Sequence, residues 1–224
     1  MRLLLALALA LALALALALL LLAPSPASAT AESGVRRYDF EVFRNGSPIG
    51  RHVATVTDLA GETRVKVEID LAVTFGPITL YRYRHRADEQ WRDGRLVFLA
   101  AETDDDGTRR SLTAAAEGGR IALHGPEGKQ TAPPDTVPSS YWNPALRRAT
   151  RWIETNWGDT NPVAVTPGAP VQVEWRGRMV EAVPHRIKSE RAELTVLYTP
   201  EGEWVGLTFD LWGGSFVYVR RDTP

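Results

Sequence analysis

His85 stands where acid–base chemistry is easiest to imagine in this chain. It shares an alternating face with Tyr81 and Tyr83, and carboxylates follow three and four positions later at Asp88 and Glu89. An imidazole beside a carboxylate can move a proton for a hydrolase or an isomerase, provided the groups converge in a cleft. A buried, hydrogen-bonded structural histidine is the simpler alternative. The other histidines, His52, His124 and His185, form no HExxH motif and no i, i+4 pair, so no metal site is expected. Asp104, Asp105 and Asp106 before Gly107 cluster carboxylates as a hard cation requires, but the later bidentate acid of a calcium loop is missing, and a solvated hairpin turn fits them better. Gly213-Gly214-Ser215 lacks the closing glycine of a nucleophile elbow. Neither it nor Gly118-Gly119 opens a helix that could cradle a phosphate. No cofactor is expected. The absence of cysteine excludes disulfides, a thiol nucleophile and a lipid-modified cysteine.

Aromatic residues carry the other chemical signal. Seven tryptophans are spread along the chain, and most are expected in core or rim packing. A curved sheet has a concave side that is either covered or left as an apolar cavity, and such a cavity is where an apolar ligand would bind. Tyr81, Tyr83, His85, Trp142 and Trp204 are the candidate lining residues. Arg82, Arg84 and Arg86 alternate with these rings and form a cationic strand face that could meet anionic headgroups, although a solvated face explains it more simply. With 26 basic against 27 acidic residues, the strong positive excess of a nucleic-acid binder is absent.

The elements that must position these residues read almost entirely as strands. Tyr38, Phe40 and Val42 alternate with Asp39, Glu41 and Phe43 before an Asn45-Gly46 turn. Ile49, Arg51, Val53, Thr55 and Thr57 form one side of the next run, and Val65, Val67, Ile69, Leu71 and Val73 form a clean apolar face in the one after it. Asp93-Gly94, Asp106-Gly107, Gly118-Gly119, Arg176-Gly177 and Gly213-Gly214 punctuate further short strands at hairpin spacing. Between 139 and 155 a short helical insertion is expected, bringing Trp142, Leu146 and Ala149 together on one face. The fold class is therefore mainly β: about a dozen strands in a large curved antiparallel sheet, a half-barrel or open barrel, with no strand–helix alternation that a parallel sheet would need.

At the start of the chain, Arg2 precedes an apolar run from Leu3 to Ala23, then Pro24-Ser25-Pro26 and Ala27-Ser28-Ala29. Basic start, apolar middle and Ala-x-Ala end read as a signal peptide over 1–29, cleaved after about Ala29. A run of this length could also span a bilayer as an uncleaved anchor, the one membrane contact expected. Residues 30–35 are then expected to form a short flexible N-terminus before a single β-rich domain over 36–224, exported to the periplasm or the exterior.

Several of these residues also carry a family resemblance. They are Tyr38-x-Phe40-x-Val42 with Asn45-Gly46 and Ile49-Gly50, Tyr83-x-His85, Glu89-x-Trp91, Gly94-x-Leu96, Tyr141-Trp142-Asn143-Pro144 and Trp204-Val205-x-Leu207-x-Phe209. Together they resemble the secreted bacterial proteins of domain-of-unknown-function family 6134, across essentially the whole mature chain. That resemblance implies export and a single β-rich domain, and it transfers no activity. More remotely the pattern resembles the lipoprotein-carrier half-barrels, whose strands curve around helices and shelter acyl chains.

Three function classes follow. The first is an exported, non-enzymatic binding module for an apolar or amphipathic, lipid-like ligand. The second is a structural or protein-interaction component of the cell envelope, working with an envelope protein partner through a sheet edge or the cationic face. The third is an envelope hydrolase or isomerase using His85 with Asp88 or Glu89.

Overall fold

Short X-Gly turns joining long alternating runs determine the architecture. The structure, a computed structural model, describes residues 34–221. The expected signal segment over 1–29 lies outside these residues, as do residues 30–33. The described residues belong to one compact unit. Its strands in chain order are β1 (Val35–Arg44), β2 (Ser47–Leu59), β3 (Glu62–Phe75), β4 (Ile78–Arg92), β5 (Arg95–Asp105), β6 (Thr108–Glu117), β7 (Arg120–Gly125) and β8 (Gly128–Ala132). They continue as β9 (Val137–Pro138), β10 (Arg151–Glu154), β11 (Asp159–Pro162), β12 (Ala164–Pro167), β13 (Val171–Trp175), β14 (Arg178–Lys188), β15 (Glu193–Tyr198), β16 (Trp204–Leu211) and β17 (Gly214–Arg220).

Fourteen strands form one curved antiparallel sheet in the order β12-β14-β15-β16-β17-β1-β2-β3-β4-β5-β6-β7-β8, with β13 also paired to β14. The two ends of the path, β12 and β8, do not pair with one another, so the sheet is not closed into a barrel. Asn45 and Asp93 take positive φ values of 50°, each followed by a positive-φ glycine. Two successive left-handed residues match the twist of the flanking strands, which is why two-residue X-Gly connections make tight hairpins.

Alternation decides which side chains face inward. Tyr38, Phe40 and Val42 of β1 are fully buried, as are Val65, Val67 and Leu71 of β3, while the arginines of β4 are exposed. In β2 the side formed by Arg51, Val53, Thr55 and Thr57 is the outer one and the fully buried residues are His52, Ala54 and Val56, while Ile49, beside the register shift opposite Val42 and Phe43, packs against the core. Each large apolar side chain moved from water to this interior contributes roughly 1.5–3 kcal/mol. Asp39 is the buried exception on the outer face of β1, where Arg37 and Arg51 neutralise it.

The concave side is covered by a second, three-stranded sheet in the order β11-β10-β9. The helical insertion expected near 139–155 is only one turn of 3-10 helix, Pro144–Arg148, and Arg151–Glu154 is strand. Asn143 caps the turn by accepting the Ala145 N–H at 2.9 Å, and Ala149 closes it with an N–H to Leu146 O. Beyond it Trp152 and Ile153 pair with Val137 and Pro138 on one side and with Asn161 and Thr160 on the other. With this pairing both side chains are fully buried, and it overrides the helical spacing of Trp142, Leu146 and Ala149.

Two glycines let the small sheet approach the large one. A Cβ on Gly125 would lie 1.9 Å from the carbonyl oxygen of Gly158, and one on Gly158, at φ +81°, would lie 2.6 Å from Pro126 Cδ. Backbone therefore meets backbone here, and no side chain fits between the layers.

A cavity between the two sheets as the candidate functional site

The space left between the layers is a cavity of about 510 Å3. Val67, Ile69 and Leu71 of β3, Leu207 and Phe209 of β16 and Phe216 of β17 give it an apolar wall, and Ser139–Tyr141 and β10 contribute the opposite side. Apolar concavities of this size with a few convergent polar groups are the usual form of a small-molecule site. Phe209 and Phe216 stack at 4.7 Å with nearly parallel rings, which stiffens the wall.

One part of the lining is charged, and each of its arginines is paired with a carboxylate. Arg110 pairs with Asp105 at 3.3 Å and lies 4.2 Å over the ring of Trp157. Arg191 pairs with Glu154 and with Asp159, and Asn161 donates to both of those acids at 3.0 Å. Burial raises the Glu154 carboxyl, and neighbouring Asp159 adds to the rise, against the opposing pull of Arg191 and Asn161.

A second polar group in the lining is neutral. His85 Nδ1 lies 2.9 Å from Thr103 Oγ1, and its Nε2 lies 3.3 Å from Thr155 Oγ1, whose hydroxyl is in turn 3.3 Å from Ser139 Oγ. Desolvation lowers the His85 imidazole to about 4, so it is uncharged at neutral pH. His52 is buried among the rings of Tyr141, Trp204 and Tyr218, and neither of its ring nitrogens has a hydrogen-bond partner. Burial first, and His85 second, bring it down to about 3. The indole N–H of Trp152 is likewise buried without a partner.

Of the residues singled out from sequence, Tyr81, Tyr83 and His85 line the cavity, and Trp142 and Trp204 do not. Trp142 is spent on the core, where its indole N–H donates to Glu89 at 2.9 Å and its ring meets Trp91 edge to face. Trp204 is fully buried, donates to Gly206 O and packs 4.1 Å from the Phe40 ring centre. The acid–base pair expected at His85 is not assembled. Asp88 points to the exposed outer face, and Glu89 is occupied by the indoles of Trp91 and Trp142. Burial raises the Glu89 carboxyl, while Ser140 and the two indoles favour its ionised form. Asp105 and Asp104, read as a turn, belong to β5, where Asp104 accepts the Gly107 N–H and Asp105 accepts the Tyr81 hydroxyl.

Sequence reasoning missed His52, Tyr141, Trp152 and Tyr218. The strand period was a usable signal for two of them, since His52 lies in phase with Ala54 and Val56, and Tyr218 with Phe216. For Tyr141 no such signal exists. Its φ of 63° places a non-glycine residue in the left-handed region outside any X-Gly hairpin turn. The Tyr198 hydroxyl, donating to its carbonyl at 2.6 Å, and the Trp142–Glu89 bond next to it hold it there.

Comparison with known proteins adds three findings. Residues 40–221 match the family model described as Domain of unknown function (DUF6134). No curated protein matches the chain. Among solved structures, the chain is similar to a beta-barrel-like protein of domain of unknown function DUF1849 from Brucella abortus, with a TM-score of 0.61 and 11% identity, over 87% of this chain and 98% of that one. At that identity the likeness is one of fold.

Proposed function

The chain belongs to the family described as domain of unknown function DUF6134, and from that premise we propose that it is an exported, non-enzymatic module that binds an apolar or amphipathic, lipid-like ligand on the concave side of its sheet. The observation that carries this reading is the cavity of about 510 Å3 walled by Val67, Ile69, Leu71, Leu207, Phe209 and Phe216. Apolar surface facing such a space gains by roughly 25 cal/mol per Å2 when a ligand removes it from water. The binding reading is favoured over a hydrolase because His85 bonds to the hydroxyls of Thr103 and Thr155 and to no carboxylate. Export is supported by the basic start, apolar run and Ala-Ser-Ala of the first 29 residues.

The test is uptake of an apolar dye. Protein stripped of bound lipid by unfolding and refolding is titrated with Nile red, and saturable, stoichiometric fluorescence enhancement is expected. Ile69→Trp, which fills the cavity from a half-buried wall position, should abolish the enhancement while the circular dichroism of the sheet is retained. Undiminished dye binding by that variant, or no binding by the parent protein, refutes the reading.

A further inference from the structure

The six tyrosines divide into two groups of three. Tyr81 donates to Asp105 at 2.6 Å, Tyr198 donates to Tyr141 O at 2.6 Å, and Tyr38 is approached by the Arg36 guanidinium at 3.4 Å. Tyr83, Tyr141 and Tyr218 all line the cavity, and among the described residues their hydroxyls make no hydrogen bond. They reach the cavity from β4, from the turn before Pro144 and from β17. Opening onto the cavity with no partner among the described residues, the three hydroxyls are donors available to an acceptor placed there.

We propose that the cavity selects a neutral, carbonyl-bearing apolar molecule whose oxygen accepts hydrogen bonds from Tyr83, Tyr141 and Tyr218. This rests on the reading of the cavity as a ligand site and adds the chemistry of the ligand's polar end. The three hydroxyls are donors and not anions: burial raises all three, and Tyr83 is raised further by Tyr218 and Tyr141. Among the described residues the two arginines of the lining are already engaged, Arg110 by Asp105 and Arg191 by Glu154 and Asp159, so neither is left to hold a carboxylate. The left-handed backbone at Tyr141 fits this assignment, since strain of that kind persists where surrounding bonds over-determine a functional geometry.

The test compares four probes of similar chain length, titrated into the purified full chain and read by the fluorescence of the cavity tryptophans: methyl undecyl ketone, methyl laurate, tridecane and laurate. The ketone or the ester should bind about tenfold tighter than tridecane, and laurate should bind more weakly than either. The tighter of the first two distinguishes a ketone-type from an ester-type source of the carbonyl. Tyr218→Phe, and independently Tyr83→Phe, should weaken the preferred carbonyl probe about fivefold and leave tridecane unchanged. Equal affinity for tridecane and the carbonyl probes, or tightest binding of laurate, overturns the proposal while the cavity reading stands. Failure of every probe to bind, with Nile red also excluded, overturns both.

Discussion

His52 is buried in β2 with both ring nitrogens unpartnered and its imidazole lowered to about 3, which gives it a measurable signature in acid. In the unfolded chain an ordinary histidine titrates near 6.5. Above that value neither state binds the proton and stability is unaffected. As pH falls below it the unfolded chain takes up a proton that the native protein refuses, so stability is lost progressively until the folded value is reached. At 1.36 kcal/mol per pKa unit, the loss attributable to this one residue between pH 7 and pH 5 is about 2 kcal/mol. His85, lowered to about 4, adds a slope of the same sign. Glu89 and Glu154, whose carboxyls are raised by burial, add slopes of the opposite sign. All three contributions occur equally in a His52→Phe variant and cancel in the difference. The assay is equilibrium urea unfolding of parent and variant at pH 7, 6 and 5. The gap between the two stabilities should move by about 2 kcal/mol in favour of the variant over that range. At pH 7 the variant should be no less stable, since it removes a buried polar ring that bonds to nothing. Parallel stabilities across the range would show that His52 is protonated or partnered in the folded protein, and would refute the reasoning.

Two further outcomes follow from the packing. Glu89→Leu should destabilise by about 2–4 kcal/mol, because two buried indole N–H groups lose their acceptor, whereas Glu89→Gln should cost much less by keeping an acceptor in place; urea midpoints separate the two. Gly125→Ala should destabilise the contact between the sheets by at least about 2 kcal/mol, since its Cβ meets the Gly158 carbonyl, while Gly61→Ala, at an open turn, should lose only the cost of left-handed backbone; thermal melts of the pair decide it.

Much of the large sheet was legible because its signals are local. A period of two in β3 and β4 sorts Val65, Val67 and Leu71, and Tyr81, Tyr83 and His85, from the arginines between them, and the X-Gly pairs mark the reversals. What sequence could not supply are contacts made across long stretches of chain. Trp142 has the composition of a pocket wall, yet a carboxylate far back in β4 claims its indole. The segment around Leu146 has helical spacing, but two strand partners, β9 and β11, outweigh that spacing once Trp152 and Ile153 must be buried. Tyr141 faces the cavity through a left-handed turn fixed by Tyr198, and neither its neighbours nor any period encodes that bond.

The strand order has a consequence for biogenesis. β17 lies beside β1, near the middle of the large sheet, with the hairpins of β2 to β8 on one flank and those of β12 to β16 on the other. Each flank zips from sequence neighbours and can form early, but the seam joining them waits for strands from opposite ends of the described chain, the slowest kind of encounter. Until it closes, β1 and β17 are bare edges able to recruit strands from other molecules. A chain truncated before Gly214 would therefore fail by sticking to its own kind, with both flanks still largely built, and not by a graded softening of the whole.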